Sequence, residues 1–190
     1  TWRTKPMKLR ALNAPREKLW RCWTEPALLV QWFTPPPWKP IHAEPDVRVG
    51  ASSYIVMQGP DGTEMPNRGI YLEVIPNKKL VFTDAYTAAW VPSGKAFFTG
   101  IITFDDEGGK TRYTARVLHW TAEDSASHDA MGFHEGWGTV VDQLVEYTQR
   151  LMRDADMMKS SLDTYSKRKD EVVLNGLITP DQPSVSVKVI

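Results

Sequence analysis

Between residues 111 and 119 the chain alternates with a period of two. Tyr113, Ala115, Val117 and His119 fall on one side, Arg112, Thr114 and Arg116 on the other. Side chains of a strand alternate between faces, so the first set is expected to face a core and to carry His119 inside with it. Shorter extended segments precede it at 51–58, 65–75, 79–86 and 96–104. They are punctuated by Gly59-Pro60-Asp61-Gly62, Pro76-Asn77-Lys78, a loop holding Trp90 and Pro92-Ser93-Gly94, and Asp105 to Gly109. Short strands separated by such turns predict an antiparallel meander. Residues 7–12 alternate as well and predict an earlier strand.

Two short helices are predicted between that strand and the meander. Asn13 is placed as a cap and Pro15 in the first turn, where its missing N–H does no harm. Leu19, Trp20 and Trp23 then follow at helical spacing. Thr24-Glu25-Pro26 restarts a helix through about Phe33, and Pro35-Pro36-Pro37 ends it. After residue 119 the period changes. Phe133, Trp137, Val140, Val141, Leu144, Tyr147 and Leu151 mark one helix from about Ser125 to Met152, about 42 Å long. A meander and one long amphipathic helix bury their apolar faces most simply when a bent sheet grips the helix. The expected class is α+β, with residues 1–6 as an N-terminal extension, 7–152 as the domain and 153–190 as a tail. In the tail, Val172 to Ile178 suggests a hairpin around Asn175-Gly176, and Val185 to Ile190 alternates again. The tail is expected to dock on a sheet edge of its own chain or on a partner chain, as in a homodimer.

Composition narrows the function. Lys and Arg number 23, as do Asp and Glu, so the formal net charge is zero. Nucleic-acid and acidic-membrane surfaces need excess positive charge, and no nucleic-acid partner is expected. No apolar run approaches the length of a membrane span, and one cysteine, Cys22, cannot form an internal disulfide. A cytoplasmic protein is expected. The four histidines and the lone cysteine show no metal-ligand spacing, and no Gly-rich phosphate loop or serine-nucleophile motif occurs, so no metal or cofactor is expected.

Eight tryptophans stand out. Such side chains fill cores and line cavities alike, each bringing a large apolar surface and one polar handle. Met131 to Gly138 holds three glycines in a helical stretch, which suits either tight packing on the sheet or a movable cavity wall. Trp32, Phe33 and Trp38 flank the triple proline and form either a pocket rim or a plug. His119 is either a satisfied structural histidine or a ligand hydrogen-bonder and general acid or base. Tyr71 and Glu73 share a face by parity, and an inward Glu73 would need a partner.

The chain also resembles a known family. The resemblance is carried by Ala14-Pro15-Arg16-Glu17-Lys18-Leu19-Trp20, Trp23-Thr24-Glu25-Pro26, Gln31-Trp32-Phe33, Gly59-Pro60-Asp61-Gly62, Gly69 to Pro76, Leu80-Val81-Phe82-Thr83, Thr103-Phe104, Gly108 to Arg112 and Gly136-Trp137. In order and spacing from about residue 7 to 151, this series is similar to the activator-of-Hsp90-ATPase-like proteins. That resemblance implies the START-like, Bet v 1-like superfamily, its helix-grip fold and a hydrophobic cavity. Superfamily roles range over lipid or small-molecule carriers, cyclases, hydrolase-like enzymes and co-chaperones, so fold does not fix function. The leading expectation is a hydrophobic or amphipathic small-molecule ligand. Its walls would be Trp32, Trp38, Tyr54, Met57, Tyr71, Phe82, Trp90, Phe98, Tyr113, His119, Met131 and Trp137. The alternatives are a cyclase or hydrolase using His119 with Glu73 or a tyrosine, and a module acting on a chaperone partner.

Overall fold

The computed structural model describes residues 4–6, 10–94 and 96–174. The chain forms β1 (Thr4–Pro6), β2 (Arg10–Leu12), α1 (Arg16–Thr24), α2 (Pro26–Leu29) and β3 (Lys39–Pro45). Then come β4 (Ser52–Gln58), β5 (Glu64–Ile75), β6 (Lys79–Thr83), β7 (Tyr86–Ala88), β8 (Val91–Pro92), β9 (Phe98–Asp106) and β10 (Thr111–His119). Two helices, α3 (Ala122–Ala130) and α4 (Phe133–Leu174), complete the order. One antiparallel sheet runs β1-β10-β9-β6-β5-β4-β3, with β2 also pairing β10, and β7 and β8 make a separate hairpin. This is the helix-grip α+β fold.

The parity of β10 holds. Tyr113, Ala115, Val117 and His119 are buried, in a core with Leu80, Ile102 and Phe104 of the neighbouring strands. Leu19, Cys22 and Trp23 of α1 and Val140, Val141 and Leu144 of α4 close it. Each such aliphatic side chain contributes about 1.5–3 kcal/mol on full burial. Polar contacts fix the helices. Gln143 Nε2 donates to the carbonyls of Trp32 (2.6 Å) and Thr34 (2.9 Å), and Thr148 Oγ1 lies 3.7 Å from Cys22 Sγ. Arg10 pairs with Asp142.

Several expectations need correction. Residues 4–6 are not an extension outside the fold but a strand on β10. Of the strand expected over 7–12, Arg10–Leu12 is β2, and 7–9 lie outside the described residues. The helix cap is Pro15 rather than Asn13, because Pro15 is still extended (ψ 140°) and the first helical residue is Arg16. The second helix stops at Leu29 and continues to Thr34 only as turns. β3 was not foreseen. The single helix from Ser125 is two, broken at Met131-Gly132, where Gly132 takes φ +76°. Residues 172–174 are helical rather than a hairpin strand, and the rest of that hairpin and the 185–190 segment lie outside the described residues.

The chain divides into two compact units, Thr1–Gln149 and Arg150–Ile190, with α4 running through the boundary. Among the described residues no helix is long and apolar enough to cross a membrane.

Candidate functional site

Trp23 sits at the centre of an aromatic layer. Its ring centroid lies 5.1 Å from Trp32, 5.7 Å from Phe33, and 6.1 Å from both Phe82 and Trp137. Helix α1, the turn after α2, strand β6 and the start of α4 therefore meet on one set of rings, and Phe98 of β9 extends it 6.1 Å beyond Phe82. The layer needs Gly100, which pairs with Phe82 across β6 and β9. A Cβ at Gly100 would lie 2.6 Å from the Phe82 ring, so only glycine lets that ring lie over β9.

Three polar atoms in and beneath this layer are buried with no hydrogen-bond partner among the described residues: Trp23 Nε1, Trp137 Nε1 and the Tyr113 hydroxyl. Trp23 Nε1 faces the Tyr113 hydroxyl but falls short of hydrogen-bond geometry. Burial pushes the Tyr113 hydroxyl well above its usual pKa, and the indole N–H only partly opposes this. A buried polar group left unmatched costs about 1–3 kcal/mol, and native interiors rarely tolerate several together. The Thr34 and Ser93 hydroxyls are also without partners.

A second polar feature lies at the end of β10. His119 Nε2 and His128 Nδ1 of α3 are 2.8 Å apart, one nitrogen donating and the other accepting. Phe97, Phe98 and Phe133 surround His128, with the Phe133 centroid only 3.7 Å away. Burial pulls the His128 pKa down to about 4, with the His119 charge adding to the effect and Asp129 opposing it. His128 is thus neutral at ordinary pH. His134 Nε2 lies 3.2 Å from Asp129 Oδ1. Among the described residues no three His, Cys, Asp or Glu side chains cluster so as to hold a metal ion.

The expected wall residues scatter. Trp32, Phe82, Phe98 and Trp137 meet in the layer, with Tyr113 beneath it. Trp32 is a buried plug whose Nε1 donates to the Cys22 carbonyl at 3.0 Å. Tyr71 pairs with Phe82 and is buried, which pushes its hydroxyl up to about 12 despite the Ser53 hydroxyl beside it. Met57 shares the inner face with Ile55 and lies half-buried. Trp38 packs on Gly59 of the β4–β5 turn, away from these rings.

Besides Trp38, four residues do not belong. Trp90 is 80% exposed on the β7–β8 hairpin, and Met131 is 65% exposed where α3 ends. Tyr54 pairs with Arg68 and Glu44 on the outer face, with the Arg68 guanidinium 3.8 Å over its ring. Glu73 is also outward. A bulge between Tyr71 and Glu73 sets Tyr71 opposite Phe82 and Glu73 opposite Val81, so the two residues face opposite ways. Glu73 pairs with Lys79 at 2.7 Å near the surface and cannot partner His119. The sequence reading missed Trp23 and His128, while Phe33 entered it only as part of the rim or plug beside the triple proline. Trp23 carries its helical spacing from Trp20 and Leu19 as a signal; nothing local marks His128.

The comparisons agree with this architecture. The family described as "Activator of Hsp90 ATPase homolog 1-like protein" matches residues 13–149. The chain belongs to that family. A solved structure of a Nitrosomonas europaea protein, 38% identical, superposes with a TM-score of 0.75 over 79% of this chain and 96% of that one. A solution structure from Arthrobacter aurescens, 21% identical, gives 0.65 over 75% and 84%. An AHSA1-like protein from Aeromonas hydrophila, 15% identical, gives 0.58 over 80% and 94%, and these last two share the fold alone. No curated protein matches the chain. The family match spans α1 through the first part of α4, and so covers every residue of the aromatic layer and the histidine pair.

Proposed function

We propose that this family member binds an amphipathic small molecule at the aromatic layer, an apolar body carrying at least one hydrogen-bond-accepting oxygen. The observation behind this is the trio of buried polar atoms without partners, Trp23 Nε1, Trp137 Nε1 and the Tyr113 hydroxyl, set among Phe33, Phe82 and Phe98. Apolar rings with a few convergent polar groups are the composition of ligand pockets, and a ligand oxygen would recover the hydrogen bonds that the protein leaves unmade. Helix-grip relatives that carry lipids or polyketide-like compounds fit the same chemistry. Trp137 lies in the first turns of α4 after the Gly132 break, where the backbone takes φ +76°.

Intrinsic tryptophan fluorescence titrated with a fatty acid and with a hydroxylated polycyclic aromatic tests the reading. Saturable quenching by one of them is expected. Trp137→Phe, which keeps an aromatic ring but loses the N–H donor, should weaken it by up to about tenfold, the worth of one ordinary hydrogen bond. An unaltered affinity in that variant, or no saturable response to either probe, contradicts the proposal.

One observation favours a second reading. His128 is held neutral and touches His119, which suits proton transfer at the end of β10. A cyclase or hydrolase role would then rest on this pair, with Glu73 excluded by its position. Loss of turnover in His119→Ala, with the fold intact, supports it. A chaperone-directed role follows from the family's name alone and is tested by the ATP turnover of an Hsp90-type partner. The unit from Arg150 onward takes no part in any of these readings.

A further inference from the structure

The later part of α4 has a face of its own. Leu151, Met158 and Tyr165 recur every seven residues, and Ala155 and Leu162 fall between them at the complementary spacing. This is the a and d pattern of a coiled-coil seam, with Ala155 and Leu162 at a and Leu151, Met158 and Tyr165 at d. The seam is bare. Met158 is 67% exposed, Leu162 63% and Tyr165 70%. A row of large apolar side chains on one helical face is uncommon on a monomer and marks a contact surface. The seam is also bounded, because the a position after Tyr165 is Lys169 in the sequence.

The flanking charges say what covers it. Asp154 and Arg168 occupy the same flanking g register, each seven residues from Ser161. Two copies of the helix laid antiparallel about Ser161 set each Asp154 beside the partner's Arg168, pairing both charges twice, at the cost of placing Lys159 beside the partner's Lys159. In the same arrangement Met158 meets Leu162 of the partner subunit, and the small Ala155 meets the partner's Tyr165. A parallel pair would set Asp154 beside the partner's Lys159 but leave Arg168 facing an apolar position. Flanking charges of this kind set orientation and partner choice in helical pairs. We propose that the segment from Leu151 to Arg168 pairs with a second copy of this chain as an antiparallel two-helix coiled coil. The seam shares no residue with the aromatic layer, and the inference does not rest on ligand binding.

Sedimentation equilibrium of the full chain tests it, with near-UV circular dichroism of the tryptophans reporting that the fold survives each change. The wild type should be a dimer, and Met158→Lys with Leu162→Lys should be monomeric at the same concentration with an unchanged tryptophan spectrum. Asp154→Arg and Arg168→Asp should each weaken the dimer several-fold, and the two together should restore it. A monomeric wild type overturns the proposal, as does a dimer that survives the double lysine change. An Arg168→Asp variant as tightly paired as wild type overturns the antiparallel arrangement.

Discussion

Single residues decide where the rings of this domain can stand. Phe82 lies over β9 because Gly100 presents no Cβ, so Gly100→Ala must displace it. Overpacking of this kind costs about 1–3 kcal/mol, and urea unfolding should report a loss of that size without a change in m-value. His128 makes a pH prediction. Its folded pKa is near 4, below the 6.5 of an unconstrained histidine. The unfolded chain therefore takes up a proton first as pH falls, and stability that is intact above about pH 6.5 drains away towards pH 4. His128→Gln should flatten that slope in thermal melts across the window, and an unaltered slope would deny the neutral pair. Neither residue was legible in the sequence as part of a site. The glycine is an ordinary strand glycine until its cross-strand partner is known, and His128 meets His119 only because α3 folds back over β10.

Elements explain which expectations held. The alternation of β10 was readable because one of its faces meets a core and the other meets solvent, so each residue's polarity reports its side. β3 was not, since Lys-Pro-Ile-His-Ala-Glu-Pro has little alternation and two prolines; as the edge strand it can spare their missing N–H groups. The bulge at Leu72 reversed the face of Glu73, and no sequence pattern announces an extra residue in a ladder. The long helix was legible in its apolar positions but not in its break, because a helical period persists across Gly132 while the backbone does not. Thr121 accepts from Asp124 N at 3.0 Å to start α3, and Gly132 at φ +76° separates it from α4. A side chain at Gly132 is strained by about 1–2 kcal/mol. Gly132→Ala should lower Tm by about 2–8 °C for a chain of this size. An unchanged Tm would show that the break does not need its glycine.

At the scale of the molecule, the family and the helix-grip architecture follow from an ordered series of ordinary motifs, and the comparisons bear out both. The site is a different matter. Rings drawn from α1, the turn after α2, β6, β9 and α4 converge only after folding, so residue type told which side chains were suited to a binding layer but not which ones meet. What distinguishes the layer from a plain aromatic core is its indole N–H groups and phenol, buried with no hydrogen-bond partner among the described residues. The most direct measurement is a 15N-edited NMR titration of the tryptophan indole N–H signals with a fatty acid and with a hydroxylated polycyclic aromatic. The Trp23 and Trp137 signals should move downfield and saturate together, while exposed Trp90 stays where it is. If only surface indoles respond, or Trp23 and Trp137 hold their positions at saturating probe, the aromatic layer is a closed core and not a binding site.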